Sequence, residues 1–295
     1  MIERFAYAKI NLFLAVEGIR EDGYHNILSV MQTVSWADKI TLQKTGRCDI
    51  HLTCTEPSIP TNHVNTAYRA AQLFLSCLEA SMGLHIHIEK NIPSAAGLAG
   101  GSADAAAVLL GLNEMTHYPF SSARLLKMGA EIGADVPFCM VGGTKITRGI
   151  GDIIEAFPSM PDCHLVCAKL GEGVSTPEAY RAIDEKNDFF KNASIKYGRL
   201  DSLRDGFENN DLSHLASGIF NVFEETIERM RPNITCVKET LTKSGARATM
   251  MSGSGPSVFG VFMSLEQAEH ACAALREMGA RCSVCTPVAE FGEAK

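Results

Sequence analysis

The chain lacks any apolar run able to span a membrane: stretches such as Ala105 to Leu110 fall far short of the ~18 residues a bilayer requires. It also lacks an excess of positive charge. Its 27 Lys and Arg stand against 34 Asp and Glu, a net charge of −7, which argues against a basic nucleic-acid footprint. Repeats and low-complexity tracts are missing, and 46% of the residues are hydrophobic, so fibrous, collagen-like and wholly disordered classes are excluded. No charged cap followed by an apolar stretch opens the chain, so no secretory signal is expected. Cysteine, by contrast, is plentiful. Ten cysteines are scattered through 295 residues, mostly in apolar surroundings, and predict reduced, buried thiols of a cytoplasmic protein. At about 150 residues per domain the length suits one large or two medium domains.

Alternation of apolar residues from Phe5 to Leu14 predicts a strand, with Ala6, Ala8, Ile10, Leu12 and Leu14 on one core face and Lys9 beside Asn11 on the other. A turn at Arg20–His25 leads to a strand over Ile27–Trp36, and two further short strands are expected within 38–54. Helical spacing predicts a helix over Asn65–Leu78, and alternation a strand over Leu84–Glu89. A loop of small residues, Pro93 to Gly101, then enters a helix that is apolar nearly all round and therefore buried. Pro137 biases Val136 toward an extended conformation, which would pin Asp135 in a bend. A boundary is placed near Pro158–Pro161, giving domains 1–157 and 158–295. Beyond it the pattern reads strand 164–170, helix 175–185, an irregular polar stretch 186–205 and helices near 209–217, 220–230 and 234–244. The close is strand 247–251, turn, strand 258–263, helix 265–278 and strand 281–288, part of an antiparallel sheet with helices on one side.

Several stretches have two readings on pattern alone. A glycine-rich loop at a helix start presents unpaired N–H groups beside the positive end of the helix dipole, an anion site. Equally, Gly97 to Gly101 could only let a buried helix pack tightly. The loop lacks the Lys-Ser/Thr ending of a Walker A motif and the Gly-x-Gly-x-x-Gly spacing of a dinucleotide fold. Met251 to Ser257 reads as a plain hairpin turn or as a nest of N–H groups for phosphate. Lys9 reads as a solvated strand lysine and Asp135 as the cap of a short turn. His85 and His87 share a strand face and could bind metal, but with Glu89 on the same side they read as a solvent-facing face. Cys282 and Cys285 have redox spacing, but three residues apart on a strand they face opposite ways.

In their order along the chain, however, these stretches form one set. Ala8-Lys9-Ile10-Asn11-Leu12, Asp22-Gly23-Tyr24-His25, Pro93 to Asp104, Gly133 to Phe138 and Ser252 to Gly255 together resemble the GHMP small-molecule kinase superfamily from end to end. Within it they resemble the branch whose acceptor is a cytidine-diphosphate-linked methylerythritol of the non-mevalonate isoprenoid route. The resemblance implies an α+β fold of two domains, an N-terminal nucleotide-binding domain and a C-terminal ferredoxin-like α/β sandwich, with the active site between them. It implies that ATP lies on Pro93, Ala95, Ala96, Gly97, Leu98, Ala99, Gly100, Gly101, Ser102 and Ala103, with Asn65 and Lys90 lining the adenine pocket and Mg²⁺ balancing the phosphates, Ser102 being available as its ligand. Asp135 would take the acceptor's proton, or act electrostatically, and Lys9 would orient it and stabilise charge at the γ-phosphate. Asn11, Tyr24, His25, Tyr180, Gly253, Ser254 and Gly255 would hold the acceptor, with Tyr24, His25 and Tyr180 on its cytosine. Ala95 and Ala99 stand where the family often has glycine, and Ala103 where some members have serine, so no hydroxyl is offered there. The expected protein is a cytoplasmic monomer or weak homodimer with a small-molecule substrate, and with neither nucleic acid nor membrane as partner. Two alternatives stand beside this. One is a GHMP kinase for a sugar, homoserine or mevalonate derivative, disfavoured by Asp22 to His25. The other is a nucleotide-binding regulator without turnover, disfavoured by Lys9 and Asp135.

Overall fold

The computed structural model describes residues 1–79, 82–185 and 193–291. Two long antiparallel strands frame it, β1 (Ile2–Ile19) and β2 (His25–Thr45). The separate short strand expected after Trp36 is instead part of β2. The chain does not turn there, because a register shift opposite Tyr7–Lys9 absorbs the irregularity within the strand pair. Only β3 (Ile50–Cys54) is separate. Further shifts at Asn11/Phe13 and Val16/Gly18 also break the single core face expected of β1. Ala6 enters one apolar cluster, Ala8, Ile10 and Leu12 a second, and Leu14 and Val16 a third. The strand is therefore buried on both faces from Ala8 to Val16.

The first half continues with α1 (Thr66–Leu78), β4 (Gly83–Glu89), α2 (Gly100–Met115), α3 (Ser122–Ile132), α4 (Val136–Val141), β5 (Thr144–Arg148) and β6 (Ile153–Ala156). As its composition implied, α2 is sunk in the core, with Ala103 to Leu109 all buried. Val136 is not extended: it opens α4, with Pro137 in the first turn, where a missing N–H costs no helical bond. His85 and His87 are half-buried rather than solvent-facing, because Thr53 Oγ1 lies 3.0 Å from one ring and 2.8 Å from the other.

The second half holds β7 (His164–Lys169), α5 (Thr176–Asp184), α6 (Ala193–Glu208), α7 (Leu215–Gly218), β8 (Phe220–Asn221), α8 (Glu224–Met230), α9 (Asn233–Lys243), β9 (Ala248–Met251), β10 (Val258–Phe262), α10 (Leu265–Glu277) and β11 (Arg281–Cys285). Of the stretch expected to be irregular, 186–192 lies outside the described residues. From Ala193 onward it is helix, because Leu200, Leu203 and Phe207 recur at helical spacing and bury in the core. The helix expected at 220–230 begins as β8, since Phe220 and Asn221 pair in parallel with Phe13 and Leu14. The last strand stops at Cys285. Beyond it Ser35 N donates to Thr286 O and Val288 N to Thr33 O, which ties the tail to β2.

Two sheets result. One has the order β3-β4-β2-β1-β8, with β5 on β2 and β6 on β5; the other is antiparallel, β11-β7-β10-β9. The chain thus passes from the first sheet to the second and returns to the first through β8 and the tail. Cys282 and Cys285 do face opposite ways, into different clusters. The cysteines are less uniformly buried than expected: Cys48 and Cys236 are exposed. No helix among the described residues is long and apolar enough to cross a membrane.

A buried ion triad fastens β2 to α2. Lys90 Nζ lies 2.5 Å from Asp38 Oδ2 and 2.6 Å from Asp104 Oδ2, and Asp38 Oδ1 also accepts from the backbone N–H groups of Asn91 and Ile92. One cation serves two carboxylates, and Asp104 Oδ1 is buried without a partner. Burial pushes the Asp104 carboxyl up, to about 7, against the pull of Lys90. A carboxyl raised in the folded state stabilises it most at low pH and loses that contribution as pH rises through the folded value. Asp104→Asn lacks this loss. In urea titrations, its stability relative to the natural protein is expected to be greater at pH 8 than at pH 5; an unchanged or reversed difference would contradict the buried-charge account.

Candidate active site

The loop entering α2 is shaped by three residues in the left-handed region: Ala95 (φ 47°), Gly97 (φ 75°) and Ala99 (φ 55°). Glycine is compulsory at Gly97, where a Cβ would sit 2.1 Å from the Ser252 carbonyl oxygen. Ala99 is the N-cap of α2 and offers no side-chain acceptor, so no side chain caps the N–H groups of its first turn. The packing reading of the loop holds for Gly97 and Gly100. Gly100 serves packing, since a Cβ there would lie 3.0 Å from Ile92 Cγ2. Gly101 is exposed at the helix start, and its carbonyl accepts from Thr66 Oγ1 at 2.7 Å.

The second glycine loop, 252–257, joins β9 to β10 and is locked onto the first. Ser252 Oγ donates to Gly97 O (3.0 Å) and accepts from Asn11 N (3.2 Å), while Ser257 N donates to Ala96 O (3.2 Å). Buried Asn221 on β8 holds it from behind, its Nδ2 donating to the carbonyls of Met251 and Gly253 at 2.7 and 2.8 Å. Sequence reasoning missed Asn221, a lone asparagine inside a stretch read as helix.

Between the loops lies a cleft of about 570 Å³, within the usual range for a small-molecule site. Lys9, Asn11, Asn65, Lys90, Pro93, Ala95, Ala96, Gly97, Ala99, Gly100, Gly101, Ser102, Asp135, Tyr180 and Gly253 to Gly255 line it. At its floor Lys9 Nζ donates to Asn11 Oδ1 (2.6 Å) and lies 3.6 Å from Asp135 Oδ2. Asn11 Nδ2 in turn donates to Ser29 Oγ (2.9 Å), and Ser29 Oγ to the Phe13 carbonyl (2.6 Å), so each group in the row has its partner. Lys9 is buried while Asp135 opens to the cleft. Although Asp135 occupies the N-cap of α4, its side chain makes no capping bond and turns to Lys9 instead. The solvated-lysine and simple-cap readings therefore both fall away.

Other expected residues are wholly or partly engaged elsewhere. Leu98 and Ala103 point into the core, the backbone of Leu98 accepting from Lys9 N at 3.1 Å. Asn65 caps α1, accepting from Ala67 N, while its edge reaches the cleft. The Lys90 ammonium is held by Asp38 and Asp104 rather than offered to a ligand. Tyr24, 63% exposed on its turn, and His25 both stand outside the cleft lining, which Tyr180 reaches. His25 and Tyr180, far apart in sequence, pack ring against ring, tilted by 32° with centroids 4.5 Å apart, and Tyr180 meets Phe223 edge-on at 4.9 Å. Burial pushes the Tyr180 hydroxyl up to about 12.

Comparison with known proteins matches this arrangement to two family models, the GHMP kinases N terminal domain over residues 65–143 and the GHMP kinases C terminal domain over 203–281. The chain belongs to the GHMP kinase family. Among its relatives is a 4-diphosphocytidyl-2-C-methyl-D-erythritol kinase of Desulfitobacterium hafniense, 44% identical over 94% of this chain and 92% of its own length. Another, of the same name, from Caldicellulosiruptor bescii is 43% identical over 87% and 88%. A crystal structure of 4-(cytidine 5'-diphospho)-2C-methyl-D-erythritol kinase superposes with a TM-score of 0.82 at 31% identity, covering 97% of this chain and 99% of the other. Homoserine kinase from Cytophaga hutchinsonii shares the fold (TM-score 0.75, 19% identity, 96% and 95% covered). The two-domain α+β GHMP-kinase fold expected from the motifs is thereby established.

Ala99 carries a cost that glycine in this GHMP-kinase loop would not, since an L-residue in the left-handed region loses about 1–2 kcal/mol against steric repulsion. Part of that is returned through the greater freedom of glycine in the unfolded chain. Ala99→Gly is expected to raise stability by about 0.5–1 kcal/mol in urea titration. A loss of stability would show that the alanine methyl packs favourably enough to outweigh its backbone.

Proposed function

We propose that this GHMP kinase transfers the γ-phosphoryl group of ATP to the 2-hydroxyl of 4-(cytidine 5'-diphospho)-2-C-methyl-D-erythritol, giving the 2-phosphate and ADP. The observation that carries the chemistry is the Lys9–Asp135 pair, 3.6 Å apart at the floor of a cleft that the N-terminus of α2 also lines. The choice of acceptor is supported by the names of relatives 38–44% identical over most of the chain, and by the joining of His25 to Tyr180. The enzyme works in the cytoplasm, as a monomer or weak homodimer.

The nucleotide's phosphates lie along 97–102. Uncapped N–H groups at the start of α2 and the helix dipole suit an anion held close to the backbone. Magnesium fits as a companion of the phosphates rather than as a resident of a protein cage. Among the described residues no cluster of three His, Cys, Asp or Glu is built to hold a metal, whereas Ser102 Oγ stands at the helix start near Gly133 and leaves Mg²⁺ its phosphate and water ligands. Bound there, the ion would neutralise charge on the β- and γ-phosphates.

Asp135 faces the acceptor hydroxyl and takes its proton as the new P–O bond forms; Lys9 orients that carboxylate and stabilises the charge on the transferring group. Lys9 is itself aimed by Asn11, so the pair is preorganised before either substrate arrives. The glycines of 253–255 close the other side of the cleft around the acceptor.

Asp135→Asn and Lys9→Met are each expected to leave a folded protein and to lower kcat by about 10²-fold or more, the usual worth of a base or charge stabiliser. The check is ADP release with the cytidine-diphosphate-linked acceptor, alongside circular dichroism. Near-natural turnover in either variant removes that residue from the mechanism. The natural protein is expected to bind CDP measurably and UDP more weakly in calorimetric titration, and His25→Ala to weaken CDP by ~1–3 kcal/mol while sparing ATP. Equal binding of CDP and UDP would return the chain to GHMP kinases of another acceptor.

A further inference from the structure

The turn before β2 delivers His25 to the face of α5. There Tyr180 and Asp184, four residues apart and so on one side of the helix, grip the same imidazole. The Tyr180 ring packs against it, tilted by 32° with centroids 4.5 Å apart, and Asp184 Oδ1 lies 2.8 Å from Nε2. The helix is fixed at its start by Ser175, whose side chain accepts from Glu178 N, with Pro177 in the first turn. The His25 side chain is 10% exposed, so the carboxylate contact is sheltered on the histidine side.

We propose that Asp184 is a positioning residue that sets base specificity, by fixing the proton of the His25 ring on Nε2 and thereby making Nδ1 a hydrogen-bond acceptor. A carboxylate accepts and does not donate, so its partner nitrogen must carry the hydrogen. In a neutral imidazole the other nitrogen then holds the lone pair. An acceptor at Nδ1 pairs with an amino group and is repelled by a carbonyl. Cytosine presents an amino group at position 4 of its ring, and uracil an oxygen. A base edge of the wrong polarity leaves two acceptors facing each other, which discriminates more strongly than stacking on Tyr180, since an aromatic face accepts either base. Asp184 thus governs which pyrimidine is accepted without touching it. This rests on the reading above that His25 meets the cytosine of the acceptor.

The test compares the natural protein, Asp184→Asn and Asp184→Glu at pH 8. Calorimetry gives the Kd for CDP, UDP and ATP, and ¹⁵N NMR of the His25 ring reports which nitrogen carries the proton. An asparagine both accepts and donates, so it no longer dictates the tautomer. The natural protein is expected to show the proton on Nε2 and a preference for CDP of about tenfold, the worth of one well-placed hydrogen bond. Asp184→Asn is expected to show a mixed tautomer and a CDP-to-UDP ratio reduced about threefold or more, with Asp184→Glu restoring part of it and ATP affinity unchanged throughout. A purely structural role for Asp184 would weaken CDP and UDP alike and leave their ratio in place, and that result overturns the proposal. So does a proton on Nδ1 in the natural protein, whether the ring is neutral or doubly protonated. If the natural protein carries the proton on Nε2 yet binds CDP and UDP equally, the cytosine reading itself fails, and the proposal falls with it.

Discussion

The cleft depends on one close approach of two backbones. Gly97 and Ser252 lie on loops that leave different sheets and meet with no space for a side chain between them, a Cβ on Gly97 being 2.1 Å from the Ser252 carbonyl. The Ser252 hydroxyl seals the contact by donating to Gly97 O and accepting from Asn11 N. Three elements are thereby registered at once: the loop before α2, the β9–β10 loop, and the strand that carries Lys9 and Asn11. Phosphoryl transfer asks mainly for position and charge stabilisation, so a rigid junction of this kind is what the chemistry needs from the fold.

The Lys9–Asp135 pair gains its geometry from neighbours that have no chemistry of their own. Lys9 is buried beside Asn11, which is tied through Ser29 to the Phe13 carbonyl. Asp135 is presented by a one-and-a-half-turn helix whose cap position it fills without capping. Nearby, the Lys90–Asp38–Asp104 triad anchors the first turns of α2. A lysine with two buried carboxylates is weak evidence for stability, since desolvation opposes the Coulomb gain. Its evident effect is to hold the helix start against β2.

Much of this was legible in the sequence because it follows from period and from residue size. The buried α2 showed as an apolar run without a polar face, and the two glycine loops showed as small residues between strand-like segments. The order of motifs then pointed to the family, which the comparisons established. What escaped was set by distant pairing. The fusion of the strands around Trp36 into β2, the dispersal of β1 side chains among three clusters, and the return of β8 to the first sheet all depend on register shifts or partners with no local trace. Asp184 and Asn221 were invisible for a similar reason: each acts on a residue or loop far away in the chain, His25 and the 252–257 loop. Lys90 was visible as a cation near the loop, but only the structure shows its charge already spent on Asp38 and Asp104.

The central claim is that the cleft brings the γ-phosphate of ATP to one hydroxyl of a cytidine-diphosphate-linked acceptor at the Lys9–Asp135 pair. Its most direct test is ³¹P NMR of the products formed from ATP, Mg²⁺ and 4-(cytidine 5'-diphospho)-2-C-methyl-D-erythritol. The account predicts one new phosphomonoester resonance, coupled to the methyl-bearing carbon at position 2, growing in step with ADP. Release of inorganic phosphate without that resonance, or phosphorylation of homoserine or mevalonate in its place, would contradict it.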